Sequence, residues 1–181
     1  MTESKIVRYR GVYDWLQSLV VMLLAIICLL TFVGTNIQVQ GASMEPTLAH
    51  GDQMIVRRIF YTPERGDIIV FSKQEAREDG AAIVKRVIAL EGDVVDIDPV
   101  IGVVYVNGVP LYEPYTLEPT YFIGDITYPF TVPPGQIFAI GDNRNRSGDS
   151  RSSSHGTVDE REIIGQVVAV MLPLNRAGFF F

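Results

Sequence analysis

The chain has 181 residues, of which 48% are hydrophobic, 20% charged and 10% aromatic, a composition that excludes disordered, collagen-like and disulfide-dense small proteins. A formal net charge of −6 and a pI near 4.9 argue against nucleic-acid binding, which needs a basic face. The single cysteine, Cys28, cannot make an internal disulfide, and a chain with two histidines is short of ligands for a structural metal.

Mean hydropathy of +0.21 is high for a soluble protein, and the surplus lies near the start. Trp15 to Val33 are nineteen residues without a charge, and Leu19 to Leu30 are all apolar. A bilayer core about 30 Å thick needs about 20 helical residues, so the stretch is long enough for one span. It lacks the polar stripe of a core helix and exceeds the usual signal-peptide hydrophobic region of about 7 to 15 residues. Residues 34–40 offer no Ala-x-Ala exit site. The reading is an uncleaved signal anchor. Lys5, Arg8 and Arg10 precede it, and the next basic residue is Arg57, so residues 1–14 are expected in the cytoplasm and 34–181 outside it. Beyond residue 14 there are 12 Lys and Arg against 19 Asp and Glu, a net charge of −7, so anionic lipid is not what attracts this part as a whole.

After residue 35 short β-branched runs alternate with turn residues, and no long stretch keeps a period of 3.6. Gly-Asp recurs six times, at 51, 66, 92, 124, 141 and 148, mostly beside strand-like runs. Expected strands are Asn36–Gln40, Gln53–Arg58, Asp67–Phe71, Ala82–Leu90, Val94–Ile97, Val103–Val106, Ile137–Ile140 and Ile163–Met171. Asn107-Gly108 predicts a type I′ hairpin turn, which needs positive φ at both positions. The fold expected is mainly β, antiparallel and barrel-like, with an irregular insertion around 98–134 where prolines and aromatics crowd after Leu111.

Four segments carry candidate chemistry. Ser43, in Gly41–Leu48, lies ten residues past the apolar stretch, close to the expected membrane surface; an ordinary turn serine would look similar. In Ala82–Leu90 alternation places Ile83, Lys85 and Val87 on one face and Val84, Arg86 and Ile88 on the other, so one cation should be buried whichever face turns inward. Burial lowers a lysine pKa and can make it a base, whereas arginine stays charged; the structural alternative is an edge-strand lysine. Arg65-Gly66-Asp67 opens a hydrophobic strand. Gly141–Arg151 is a polar loop whose Asp, Asn, Arg and Ser suit a hydrogen-bonded scaffold, or else a solvated connection.

Ser43-Met44-x-Pro46-Thr47-Leu48, Arg65-Gly66-Asp67, Lys85-Arg86-Val87 with Gly92-Asp93, and the loop at 141–151, in this order and spacing, resemble the bacterial type I signal peptidases. The anchor and Ile163-Ile164-Gly165 fit the same pattern. The resemblance implies a membrane-bound serine endopeptidase that cleaves signal peptides from exported preproteins after small residues of the Ala-x-Ala kind. It further implies Ser43 as nucleophile, Lys85 as general base, Ser147 hydrogen-bonded to Lys85, and Asp142, Arg144, Asp149, Arg151 and Arg86 as supports, with Arg86 paired to Asp142. The Ser43 N–H would serve the oxyanion. Relatives that add a hydroxyl two residues earlier have no counterpart at Gly41. No metal or organic cofactor is implied. The partners expected are preprotein signal peptides and membrane lipid, with no nucleic acid, and the protein is expected as a monomer.

Two other readings remain open. A Ser-His-Asp hydrolase would need His50 or His155, although His50 lies only seven residues from Ser43. An anchored β-domain could bind partners without catalysis. Cysteine chemistry is excluded, since Cys28 is in the apolar span.

Overall fold

A computed structural model describes residues 3–33, 35–72 and 82–180; the side chains of 3–10, 27–33 and 35 lie outside that description. The chain divides into two units, Met1–Gly34 and Thr35–Phe181. The first is a helix, α1 (Glu3–Val33), whose described apolar side chains, Leu19, Val20, Leu23 and Leu24 among them, are exposed. No helix among the described residues is long and apolar enough to cross a membrane. The charge-free stretch 15–33 continues past residue 26, the last described side chain of the helix, and Lys5, Arg8, Arg10 and Cys28 also fall outside the described side chains.

The second unit is built from β1 (Thr35–Gln38), β2 (Gln53–Arg57), β3 (Ile68–Phe71), β4 (Ile83–Ala89), β5 (Val94–Asp98), β6 (Val103–Val106), β7 (Val109–Pro110), β8 (Phe130–Thr131), β9 (Gln136–Ile140), β10 (Val158–Asp159), β11 (Ile163–Leu172) and β12 (Gly178–Phe179). The large sheet runs β1-β2-β11-β3-β4-β9-β10 with β12 beside β11, and a smaller one runs β7-β6-β5-β8. The pairings are antiparallel. The register of β11 shifts against both β2 and β3, and that of β4 shifts against β9 between Val87 and Ala89. Such bulges add local twist and curl the sheet. The mainly β, antiparallel architecture is the one expected.

The central strands explain their own sequences. All four residues of β3, Ile-Ile-Val-Phe, are buried. Ile68 and Val70 join one core with Met44, Leu48, Met54 and Val56, while Ile69 and Phe71 join another with Val87, Ile137 and Ala139. A strand covered on both faces reads as a continuous apolar run. A third core, containing Ile88, Phe138, Ile140, Val95 and Val104, joins the two sheets. Asn107 and Gly108 have φ of 55° and 75°, the values the predicted hairpin turn requires. Within 98–134 the chain forms β6, β7 and β8, while 111–129 contains no strand. The two-residue strands β8, β10 and β12 carry no alternation, which is why pattern alone did not reveal them.

One expectation is corrected. Lys85 and Arg86 are both buried, at 4% and 9% exposure, because β4 lies between β3 and β9 with both faces covered.

Candidate active site

Ser43 sits in a turn between β1 and β2. The turn is pinned by its apolar residues: Met44 and Leu48 are buried in the first core, and Leu48 N–H donates to the Met44 carbonyl at 2.9 Å. Burying two such side chains contributes about 1.5–3 kcal/mol each, enough to fix a short turn. Asp52, itself buried, accepts Ala49 N–H at 2.9 Å and pairs with Arg176 at 3.1 Å. Ser43 stays half-buried between these anchors, and its N–H has no hydrogen-bond partner among the described residues.

Lys85 reaches this turn from the middle of β4. Its Nζ donates to Ser43 Oγ at 2.7 Å. Burial lowers its pKa from 10.5 to about 8; the Asp149 and Asp142 carboxylates oppose the shift and the Arg151 guanidinium adds to it. Each of the two carboxylates also faces an arginine of its own.

Those arginines organise the polar loop. Asp142 receives Arg86 through both oxygens, at 2.8 and 2.7 Å, and also accepts Thr47 Oγ1 at 2.5 Å, so one carboxylate ties β4 to the Ser43 turn. Asp149 receives Arg151 through both oxygens at 2.8 Å and Gly141 N–H at 3.1 Å. Burial raises the Asp149 carboxyl, but Arg151, together with Ser147 and the Gly141 N–H, more than offsets it and holds the group below the ordinary carboxylate range. Arg144, fully buried, is held by Glu113 at 2.6 and 2.7 Å, by Thr120 Oγ1 at 3.1 Å and by the Gly141 carbonyl at 3.0 Å. Asn143 grips the backbone of the Ser43 turn: its N–H donates to the Ser43 carbonyl and its Nδ2 to the Ala42 carbonyl, both at 3.1 Å. Gly141 has to be glycine, since a Cβ there would collide with the Ser43 carbonyl oxygen and the Ser147 side chain.

The structure thus brings together Ser43 with Lys85, Arg86 with Asp142, and Asp149 with Arg151. It does not join Ser147 to Lys85. Ser147 Oγ is buried with no partner of full hydrogen-bond geometry among the described residues, and its hydroxyl leans towards Asp149, lowering that carboxyl's pKa, while Lys85 Nζ is directed at Ser43. Glu113, Thr120 and Tyr115 escaped the sequence reading because they lie in the strand-free insertion. Tyr115 stacks under Arg86 at 3.9 Å and donates to Glu113 at 3.0 Å. Asn143 stood inside a motif already singled out, and that was the available signal for it.

A cleft of about 380 Å³ opens over the pair, lined by Val39, Gln40, Met44, Ile83, Val84 and His155 among others. The β4–β9 pairing begins at Arg86 opposite Ile140, leaving Ile83 to Lys85 without a strand on that side. His155 lines this cleft, its ring against Gly148, a position that sequence spacing did not suggest. His50 instead accepts Gly41 N–H at 3.2 Å through Nδ1. Among the described residues no cluster of side chains could hold a metal ion.

The family model described as "Signal peptidase, peptidase S26" matches residues 12–172. The chain is 38% identical over 169 residues to a probable signal peptidase I-1 of Synechocystis sp., covering 88% of this chain and 82% of that protein. It is 32% identical over 187 residues to signal peptidase I of Bacillus licheniformis, covering 97% of each. A crystal structure of a signal peptidase I from Enterococcus faecalis V583 has 32% identity and a TM-score of 0.49, covering 60% of this chain and 98% of that one. The chain belongs to the signal peptidase family, peptidase S26, and is a peptidase, a hydrolase of peptide bonds.

Proposed function

We propose that the chain is a membrane-anchored serine endopeptidase that removes N-terminal signal peptides from exported preproteins, cutting after small residues with a Ser43–Lys85 dyad. The observation that carries this reading is the 2.7 Å contact of Lys85 Nζ with Ser43 Oγ, made by a lysine whose pKa burial lowers to about 8. At pH 7 about a tenth of such lysines are neutral, a far larger fraction than for an exposed one.

Neutral Lys85 takes the Ser43 proton as Oγ attacks the scissile carbonyl. The resulting ammonium returns that proton to the leaving amine as the peptide bond breaks, and the same amine then deprotonates the water that hydrolyses the ester. The unpartnered Ser43 N–H is available to the oxyanion. Asn143, fastened to the Ala42 and Ser43 carbonyls, keeps that N–H in place. An extended substrate adds to the unpaired side of β4 at Ile83 to Lys85, its backbone hydrogen-bonded and alternate side chains set into the shallow cleft. The chemistry calls on no cofactor. Residues 15–33 serve as the anchor, with 1–14 in the cytoplasm and the catalytic unit outside.

Purified protein incubated in detergent with a preprotein should release a new N-terminus, identified by sequencing, directly after a small residue. A bulky residue at the first position before the cut should abolish release, and equal cleavage of both substrates would refute the specificity. Protease added outside spheroplasts should digest the unit after residue 34; protection of that unit would refute the orientation. Replacing both His50 and His155 by Ala should spare most activity, and a folded but inactive double variant would restore the histidine reading.

A further inference from the structure

The cleft over Ser43 and Lys85 has two unlike walls. Alternation along β4 sends Val84 to the side of Val39 and Met44, and Ile83 and Lys85 to the side of Gly148 and His155. The first wall is apolar. The second holds an amine and an imidazole, and among the described residues no carboxylate lines the cleft. Asp142 and Asp149 are each engaged by an arginine through both oxygens.

His155 is built into that second wall. The turn that carries it is closed by His155 N–H and Gly156 N–H, which both donate to the Ser152 carbonyl, at 3.0 and 2.7 Å. The Asp125 carboxylate fastens the turn from outside, accepting Ser153 N–H and Ser153 Oγ, both at 2.6 Å. Ser154 Oγ lies 3.1 Å from the imidazole Nδ1. The other edge of the ring rests on Gly148, where a Cβ would come within 2.9 Å of Cε1 and 3.0 Å of Nε2. Glycine between Ser147 and Asp149 thus makes room for the imidazole beside the dyad.

An extended peptide turns successive side chains to opposite walls of such a cleft. With the small first and third residues before the cut against Val39, Met44 and Val84, the second residue projects towards His155. We propose that His155 sets the specificity for the second residue before the cut, favouring an anionic side chain over a cationic one; this rests on the reading of the cleft as the place where signal peptides are cut. A carboxylate there accepts a hydrogen bond from the imidazole, whereas an ammonium meets a wall that already holds Lys85 and offers it no unpaired acid.

The test uses the full chain in detergent with peptides that differ only at the middle residue of Ala-x-Ala, glutamate against lysine. The wild type should cleave the glutamate peptide with a kcat/KM roughly tenfold higher, the difference lying mainly in KM, since the contact is made equally in ground and transition states. His155→Glu should reverse the preference in favour of lysine. A merely structural role for His155 would slow both peptides alike and could not reverse their order. Gly148→Ala, whose methyl displaces the ring, should reduce the preference to roughly threefold or less. Lys85 is present in every variant, so the change in the ratio belongs to the imidazole. Gly148→Ala also keeps His155 in the chain, and it decides the matter even where circular dichroism finds His155→Glu unfolded. A ratio unchanged in the folded variants overturns the proposal, as does a change that appears only for the residue after the cut. Equal cleavage of both peptides by the wild type overturns it and leaves the peptidase reading standing. Cleavage of neither, nor of Ala-Ala-Ala, removes both readings together.

Discussion

Lys85 and Arg86 are consecutive on β4 and both are out of water, yet their surroundings treat them in opposite ways. Arg86 meets both oxygens of Asp142, donates to the Gly66 carbonyl at 2.7 Å and lies over the Tyr115 ring. Lys85 has a hydroxyl for its partner and no carboxylate of its own. Equal burial therefore gives a permanently charged structural tie on one face of the strand and an easily deprotonated amine on the other. Partners, more than depth, decide whether a buried cation serves as scaffold or as base.

The comparison breaks most severely if the two cations can exchange roles. Lys85→Arg places an unremovable proton opposite Ser43 and should lower cleavage at least about a thousandfold, as Ser43→Ala does, with both variants folded by circular dichroism. Residual cleavage near wild type by Lys85→Arg would end the assignment of Lys85 as base. On the other face, Arg86→Met strands the Asp142 carboxylate and should cost about 3–5 kcal/mol in urea melts, with part recovered when Asp142→Asn is added. A loss within error of zero would mean that the ion pair is not a tie.

The buried amine also gives stability a sign. Its folded pKa of about 8 lies below the ordinary 10.5, so the folded state disfavours the charged form. The resulting penalty is full below about pH 8 and vanishes as pH rises through 10.5. Lys85→Met should therefore be inactive yet up to about 3 kcal/mol more stable at pH 7, an advantage that shrinks towards pH 10.5. In the wild type, kcat/KM should climb tenfold per pH unit below 8 and level off above it; a limb centred at an ordinary histidine value would contradict the dyad.

Smaller effects sharpen the contrast. Tyr115→Leu removes the ring under Arg86 and the hydrogen bond to Glu113, and should cost about 1 kcal/mol without moving the pH profile, since those partners belong to the structural side and not to Lys85. Ser147→Ala should lower turnover by about tenfold or less, because Ser147 acts on Lys85 through its neighbour Asp149 and makes no bond to the amine itself. A Ser147→Ala variant as inactive as Ser43→Ala would place that hydroxyl directly on the base.

What could be read from sequence followed the range over which each signal acts. Strands such as β2, β3, β4 and β6 and the turn at Asn107-Gly108 are local patterns of apolar alternation and backbone freedom, and they were legible to within a residue or two. Ser43, Lys85 and the loop at 141–151 were legible as motifs. The burial of both faces of β4 was not, because each face reads alike, one cation between two apolar residues, and only the separate cores packed on the two sides cover both. Arg144's partners Glu113 and Thr120, 31 and 24 residues away, belong to a stretch without periodicity, so no spacing rule reaches them. His155 entered the cleft unannounced for the same reason, carried there by a turn.

The hydrogen bond from Asn143 to the Ala42 carbonyl spans 101 residues, whereas the other bonds that hold the backbone just before Ser43, from Gly41 to His50 and from Glu45 to Ala42, are local. A nascent chain that has exposed Ser43 still lacks Asn143, Asp149 and Arg151, and closing so long a loop has to await the strands between them. Until β9 has paired with β4, Ser43 is an ordinary alcohol next to an ordinary, solvated ammonium. On the dyad reading, proteolytic competence thereby waits until the chain has been made at least as far as Arg151, and the growing polypeptide is spared its own chemistry while it is still extended and cleavable.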